Sequence, residues 1–260
     1  MSDPNRQRDQ LIGETFDGYT IVGHHFLEYP MHEAAIYVEG NGRLLTYRWS
    51  YLKGNDAILA TFRQPRNVVP KKRAFVLGNG PSLVDTNFEL LKGETTYAVN
   101  RIWKMFDKTD WRPTHYVRGE MKGKRKEVAE DLVIMEKESA HLYLMSGLEL
   151  VKKGNRPSSW ELFAGCWGGD HAWHLPLICA YGTVVHIAMQ LAVRDGAQEL
   201  YLLGCDLGDT HFYDEPFEND MAYRAHEVAA ESCPVPVYNC TPGGFLNVYP
   251  RRDLVDVCGK

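Results

Sequence analysis

The rhythm of apolar positions changes near residue 65. Before it, YTIVGHHFLEY, AAIYVEG, RLLTYRW and AILATFR are short runs rich in β-branched and aromatic residues, the composition of strands. Asn41-Gly42 lies between the second and third runs, and a type I′ hairpin turn favours that dipeptide because both central residues need positive φ. The pattern predicts a small antiparallel β unit over residues 1–65, with a polar, frayed stretch in the first 15. Gln64 to Arg73 carries two prolines and four basic residues, which marks a connection.

Beyond it, AFVLGNG, TYAVN, THYVRGE, HLYLMSG and LYLLGCD are nearly continuous apolar runs separated by longer stretches, the signature of a parallel sheet buried on both faces. Thr183 to Arg194 places Val184, Ile187, Ala188, Leu191 and Ala192 on one helical stripe, with Gly196 as the stop signal, and feeds a strand over Glu199 to Asp206. Residues 219–232 read as a second helix, capped by Asn219 or Asp220, leading to the strand VPVYNC. Residues 66–260 are therefore expected to form a mostly parallel, doubly wound α/β domain with helices on both faces. No internal repeat is present, and the only biased stretch is the charged one at 118–138.

The sharpest local signal is FVLGNGPSL, a strand ending in Gly78-Asn79-Gly80 with Pro81 at the first helical position. Two glycines let a backbone approach a ligand, Pro81 sets φ for a helix start, and the N–H groups of that start favour an anion. Asn79 and Ser82 add neutral hydrogen-bonding groups. The bland alternative is a tight strand-to-helix turn with no ligand. Leu83 stands where a dinucleotide fingerprint has its third glycine, and the Lys of a P-loop is missing, so neither of those sites follows.

Asn100 ends the next apolar run and either faces the same crevice as Asn79 or caps the segment RIWKMF. Asp206 ends LYLLGCD and is followed by Asp209, His211, Tyr213 and Asp214. A strand-end carboxylate beside a histidine offers a general base with its orienting partner, or two ligands for a divalent metal; a solvated acidic loop is the plain alternative. Asp170, His171 and His174 are a weak zinc pattern, since a third well-placed ligand is missing. His186 reads as a core histidine, and of His24-His25 at most one faces any given site. Arg118, Lys122, Lys124, Arg125 and Lys126 are interleaved with Glu120 and Glu127 as on a solvated face, although Arg118 follows a strand end and could reach an anionic donor. Arg251-Arg252 is equally ambiguous. Trp160, Trp167 and Trp173 could wall a sugar or base site, with packing the more ordinary use.

The composition narrows the choices. With 29 Lys and Arg against 34 Asp and Glu the net charge is −5, so generic coating of nucleic acid is not expected. No apolar run approaches the roughly 18 to 20 residues of a bilayer span, and the N-terminus has no apolar signal region, so a cytoplasmic protein without a transmembrane segment is expected. The six cysteines form no C-x-x-C pair and read as reduced, mostly buried thiols.

FVLGNGPSL, YAVNRIW, YGTVVHIAMQLAVRDGAQELYLLGCDLG with HF just after it, and VYNCTPGGFLNVYP together resemble, in that order, a Rossmann-like superfamily. It includes the family-42, sialyltransferase-like glycosyltransferases and the proteins related to 6-hydroxymethylpterin pyrophosphokinases. The likeness covers about residues 73 to 255 and is closest to the uncharacterised phage-type members. It implies a transferase in which Gly78, Asn79, Gly80, Pro81, Ser82 and Asn100 contact the nucleotide of a nucleotide-sugar donor. Tyr181, Gly182 and Thr183 stand where the family has a donor-lining Ser/Thr-Gly, and Asp209 and Thr241 are placed at the donor, Thr241 within the closing turn N-C-T-P-G-G-F-L. The family's catalytic histidine corresponds to His211, with His226 in reserve, and Asp206 or Asp209 would orient it. A family tyrosine that steadies the departing phosphate falls at Gly208, where Tyr213 could substitute. The acceptor would be a hydroxyl of a glycan or of a modified nucleobase, with no cofactor. In the pyrophosphokinase branch Asp206 and Asp209 would instead hold Mg²⁺ for phosphoryl transfer to a pterin-like molecule. A third expectation is a non-catalytic binding or structural protein, and the edges of the N-terminal strands give homodimerisation a route.

Overall fold

The computed structural model describes residues 72–119, 125–138, 141–145, 173, 178–179, 182–213, 215–216 and 220–259, and the strand backbone of 15–16, 19–27, 33–40, 43–50, 160–163 and 165–166. Several expectations lie outside these residues: the Asn41-Gly42 turn, the run AILATFR, the connection and boundary near residue 65, the Asp170-His171-His174 cluster, Trp167, Tyr181, Asp214 and Asn219. The side chains of His24, His25 and Trp160 do as well.

Six strands form one sheet in which every pairing is parallel: β1 (Arg73–Leu77), β2 (Thr95–Val99), β3 (His115–Arg118), β4 (His141–Met145), β6 (Glu199–Leu203) and β7 (Val237–Asn239). A further strand, β5 (Trp160–Phe163), pairs parallel with β4 and gives the order β7-β6-β1-β2-β3-β4-β5. The helices are α1 (Arg125–Glu138), α2 (Val184–Arg194), α3 (Asp220–Ser232) and α4 (Leu254–Cys258). This is an α/β, Rossmann-like fold.

The continuous apolar runs become strands because both faces of the sheet are covered. Ala74, Phe75, Val76 and Leu77 are wholly buried, as are Tyr97 and Ala98 in β2 and Tyr116 and Val117 in β3. α2 packs across β1, β2 and β3 and buries every residue from Val185 to Ala192, including His186, which is the core histidine expected. Thr183 starts this helix by accepting the Val185 N–H on its hydroxyl at 3.3 Å. Just past its other end, Asp195 accepts the Tyr97 and Tyr143 hydroxyls at 2.8 and 2.6 Å and ties the helix to β2 and β4. Beneath it the rings of Tyr97, His115 and His141 stack across three strands with centroids 4.2 and 4.8 Å apart.

Three expected boundaries move. The strand expected to reach Asp206 stops at Leu203, because Gly204 turns to φ +60° and its carbonyl accepts the Gly80 N–H. The helix expected after Gly80 is a five-residue 3-10 turn, Pro81–Asp85, with Pro81 in its first turn. RIWKMF likewise holds only a 3-10 turn, Ile102–Met105. Cys205, Cys233, Cys240 and Cys258 are free thiols, and burial pushes Cys205 and Cys240 up to about 12. Among the described residues no helix is long and apolar enough to cross a membrane.

The chain runs outward from β1 to β5, then returns to the opposite side of β1 with β6 and β7. The connections leaving β1 and β6 therefore diverge, and the carboxyl ends of these strands flank the topological switch point where open α/β sheets bind ligands.

Candidate active site at the switch point

One side of the switch point is closed by the chain itself. The Gly78 and Gly80 N–H groups donate to the Leu203 and Gly204 carbonyls, each at 2.8 Å. A Cβ on Gly78 would stand 2.5 Å from the Gly204 oxygen, and one on Gly80 would stand 1.9 Å from Asp206 Oδ2. These glycines thus serve the close approach of two strand exits. The turn's anion-facing groups are also taken: the Ser82 N–H and hydroxyl donate to Asp206 Oδ1 and Oδ2 at 3.3 and 2.8 Å. Burial raises the Asp206 carboxyl from its ordinary value, although the bonds from Ser82 and the charge of Arg251 oppose the shift. Asp206 therefore caps the turn, and Asp209 is exposed.

Thr241 is 2% exposed, and its hydroxyl accepts the Cys205 N–H at 3.0 Å. Arg251 holds the same segment by donating to the carbonyls of Thr241, Gly244 and Leu246. The closing turn is thus a clamp on the exit of β6, held there in part by the bond that the Thr241 hydroxyl accepts. Gly182 lies at φ +77°, and a Cβ there would meet the Met221 carbonyl oxygen at 2.3 Å, so packing against α3 accounts for it as helix capping accounts for Thr183. His226 is wholly buried with Nδ1 3.2 Å from the Tyr249 hydroxyl, and burial lowers it to about 4, which places the reserve base in the core. Trp173 is buried too and donates to the Ser232 hydroxyl at 2.9 Å, a packing role.

The residues that do converge do so around Asn79, which is 6% exposed. Its side-chain amide donates to the Val99 carbonyl at the end of β2 at 3.2 Å. Its backbone carbonyl accepts the Phe212 N–H at 2.9 Å and a hydrogen bond from the His211 ring. Its Oδ1 is buried without a hydrogen-bond partner among the described residues. His211 is half-buried and stacks on the Tyr213 ring, with centroids 4.9 Å apart and planes at 25°. Burial lowers its imidazole below the ordinary 6.5; the Asn79 carbonyl and Glu215 pull upward, while Arg101 and Lys104 push further down. The orienting group is therefore a backbone carbonyl.

Next to it, beyond β2 and β3, lies a charged cluster. Asn100 adopts φ 48°, and its Oδ1 accepts from Arg118 at 2.9 Å while its carbonyl accepts the Tyr116 hydroxyl. The following 3-10 turn starts from Arg101, so Asn100 does not cap it. Arg118 and Asp131 form an ion pair at 3.4 Å with side chains 3% and 2% exposed, so Arg118 faces the interior and not solvent. Trp103 donates to Asp131 at 2.8 Å. Burial raises the Asp131 carboxyl even against Arg118, Trp103 and Arg101. Glu215 reaches in from the loop that carries His211 and pairs with Arg101 and, at 3.0 Å, with Lys104. Lys104 also lies over the Tyr213 ring, 4.4 Å from its centroid. Burial works against the Glu215 charge, but Lys104 and Arg101 prevail and hold its carboxyl below the usual range. Arg101, Lys104, Asp131 and Glu215 were not singled out from the sequence.

Among the described residues no group of three His, Cys, Asp or Glu side chains is placed to share a metal ion. Asp206 and Asp209 are the pair from which a metal site would have to be built, and Asp206 would first have to release Ser82. No family model matches the chain, and no curated protein matches it at a significant level.

Proposed function

We propose that the protein is a transferase that binds a nucleotide-sugar donor at the switch point and delivers the sugar to a hydroxyl acceptor, with His211 as general base. The observation that carries this reading is Asn79. It is buried, its backbone carbonyl accepts from the His211 ring, and its side-chain Oδ1 has no hydrogen-bond partner among the described residues. A buried amide oxygen without a partner is costly unless a ligand completes it.

The chemistry follows from the ring. A hydrogen bond to the Asn79 carbonyl sets the tautomer, leaving the lone pair on the opposite nitrogen, and burial keeps the imidazole neutral near pH 7. His211 then takes the acceptor hydroxyl proton as the acceptor oxygen bonds to the anomeric carbon and the bond from that carbon to the donor's phosphate oxygen breaks. Tyr213, which stacks on the base, steadies the departing phosphate in this reading. Residues 66–260 form the catalytic domain of this cytoplasmic enzyme, with helices on both faces of the sheet and Asn100 at the donor. In this reading residues 1–65 form a small antiparallel unit available for homodimerisation.

A thermal-shift screen against CMP, CDP, UDP, GDP, ADP, ATP and their sugar conjugates tests the reading. A ligand at 100 times its Kd stabilises the fold by about 2.7 kcal/mol, and the shift is expected to persist in EDTA. A shift seen only with ATP and Mg²⁺ would transfer the reading to a pyrophosphokinase using Asp206 and Asp209; no shift with any nucleotide would favour a non-catalytic scaffold. His211→Ala should lower turnover by about 10²- to 10⁴-fold while nucleotide binding survives.

A further inference from the structure

The proposed mechanism leaves the charged cluster beside His211 without a task. Arg101 and Lys104 follow β2 directly, in and beside the 3-10 turn that continues from its carboxyl end. Their side chains are 16% and 28% exposed, yet both converge on one carboxylate, Glu215, whose own side chain is 42% exposed. An Arg and a Lys focused on a single carboxylate, Arg101 reaching both oxygens through one guanidinium nitrogen, bring together the two cations by which proteins hold a phosphoryl group. The carboxylate comes from the most exposed partner, and its segment is anchored by backbone bonds that do not involve the side chain. The His211 N–H and the Thr210 hydroxyl both donate to the Glu215 carbonyl, at 2.9 and 3.1 Å. The side chain can therefore turn toward solvent without disturbing the loop.

A second, independent observation marks the same edge as incomplete. Arg118 Nε and Asn79 Oδ1 are both buried without hydrogen-bond partners among the described residues, one a donor and the other an acceptor. Arg118 joins Arg101 through Asp131, whose Oδ2 is 3.4 Å from Arg118 and 4.0 Å from Arg101. Three cations thus share two carboxylates, and departure of Glu215 leaves positive charge beside the Tyr213 ring and the His211 base.

We propose that Arg101 and Lys104 form a phosphoryl-binding subsite, and that Glu215 fills it as an internal carboxylate until the phosphate of the nucleotide donor displaces it. The proposal rests on the nucleotide reading above and gives that reading the phosphate contact which the Gly78–Ser82 turn, capped by Asp206, does not supply. It also places a cation next to Tyr213, where the departing phosphate would gain charge. A plug of this kind lowers apparent affinity by the fraction of time the subsite is closed.

The test is calorimetric titration of the whole protein with inorganic pyrophosphate, which has the phosphoryl chemistry and no nucleoside, followed by titration with the nucleotide that gives the largest thermal shift. Glu215→Gln is expected to bind pyrophosphate about five- to tenfold more tightly than the wild type, and the double variant Arg101→Gln/Glu215→Gln to lose that gain. Equal or weaker binding by Glu215→Gln, or retention of the gain in the double variant, overturns the subsite. If Glu215→Gln does not fold, Lys104→Gln in the wild-type background decides: weaker pyrophosphate binding supports the subsite, and unchanged binding overturns it. Tighter pyrophosphate binding with no nucleotide binding keeps the subsite and removes the nucleotide reading. Nucleotide binding that Glu215→Gln leaves unchanged keeps the reading and removes the subsite.

Discussion

The two regions at the carboxyl edge of the sheet are built from different forces. Between the exits of β1 and β6, contacts are backbone to backbone at 2.8 Å and glycine to glycine, with Asp206 filling the remaining space. Beyond β2 and β3, contacts are ionic, grading from the buried pair Arg118–Asp131 to the half-exposed Glu215. The first side has no room to change without moving the sheet. The second can exchange one charge for another, and exchange is what binding an anionic substrate requires. Under the proposed reading, specificity for an anion belongs to the ionic side, although the glycine-rich turn is the feature that draws attention in the sequence.

The comparison can be broken most directly at its most buried charge. Asp131→Ala leaves Arg118 unpaired in the interior and should cost about 3–5 kcal/mol, with a Tm lower by roughly 10 °C. A loss no greater than that of a surface substitution would mean that this side is not graded by burial. Next comes acid. His226 and His115 are held neutral to about 4 by burial, whereas unfolded imidazoles protonate near 6.5. The unfolded chain therefore binds more protons between those values. Each histidine's contribution is complete above pH 6.5 and is lost as pH falls toward 4, amounting to about 3 kcal/mol apiece. Glu215 stays charged throughout most of that window because its carboxyl is held low, so its pairs with Arg101 and Lys104 should outlast the contribution of these histidines. Urea midpoints measured from pH 7.5 to 4.5 should fall steadily in the wild type and less steeply in His226→Gln.

Gly78→Ala tests the packed side. Its Cβ would meet the Gly204 carbonyl, backbone against backbone, and should cost about 1–3 kcal/mol in urea denaturation; a neutral result would show that the two strand exits can separate. The smallest effect is expected at Glu215. Because its side chain is well solvated, Glu215→Gln should cost less than about 1 kcal/mol at low salt and nothing measurable at 1 M salt. The Arg118–Asp131 pair, out of reach of screening, should show no such salt dependence.

The strands were legible because burial on both faces removes the need for alternation, so β1, β2 and β6 stand out as unbroken apolar runs. Helix α2 was legible to within a residue because Thr183 and Gly196 punctuate it. Of the candidate site, the sequence singled out Asn79 and His211, which the fold brings together. The close packing at Gly80 left no sign in the sequence, because the group that fills its space, Asp206, lies 124 residues from Ser82 in the chain. Arg101 and Glu215 are 114 residues apart and look like ordinary surface charges until the sheet brings them together. The partner of His211 left no trace in the sequence, since a backbone carbonyl belongs to every residue.

The most direct measurement is a pH titration by NMR of the protein labelled in its histidine rings, with and without the nucleotide that gives the largest thermal shift. The account predicts that His211 titrates below 6.5 and that saturating nucleotide moves its ring resonances while those of His226 stay in place. A His211 midpoint at or above 6.5, or ring signals unmoved by bound nucleotide, would contradict the assignment of His211 as the base beside the donor.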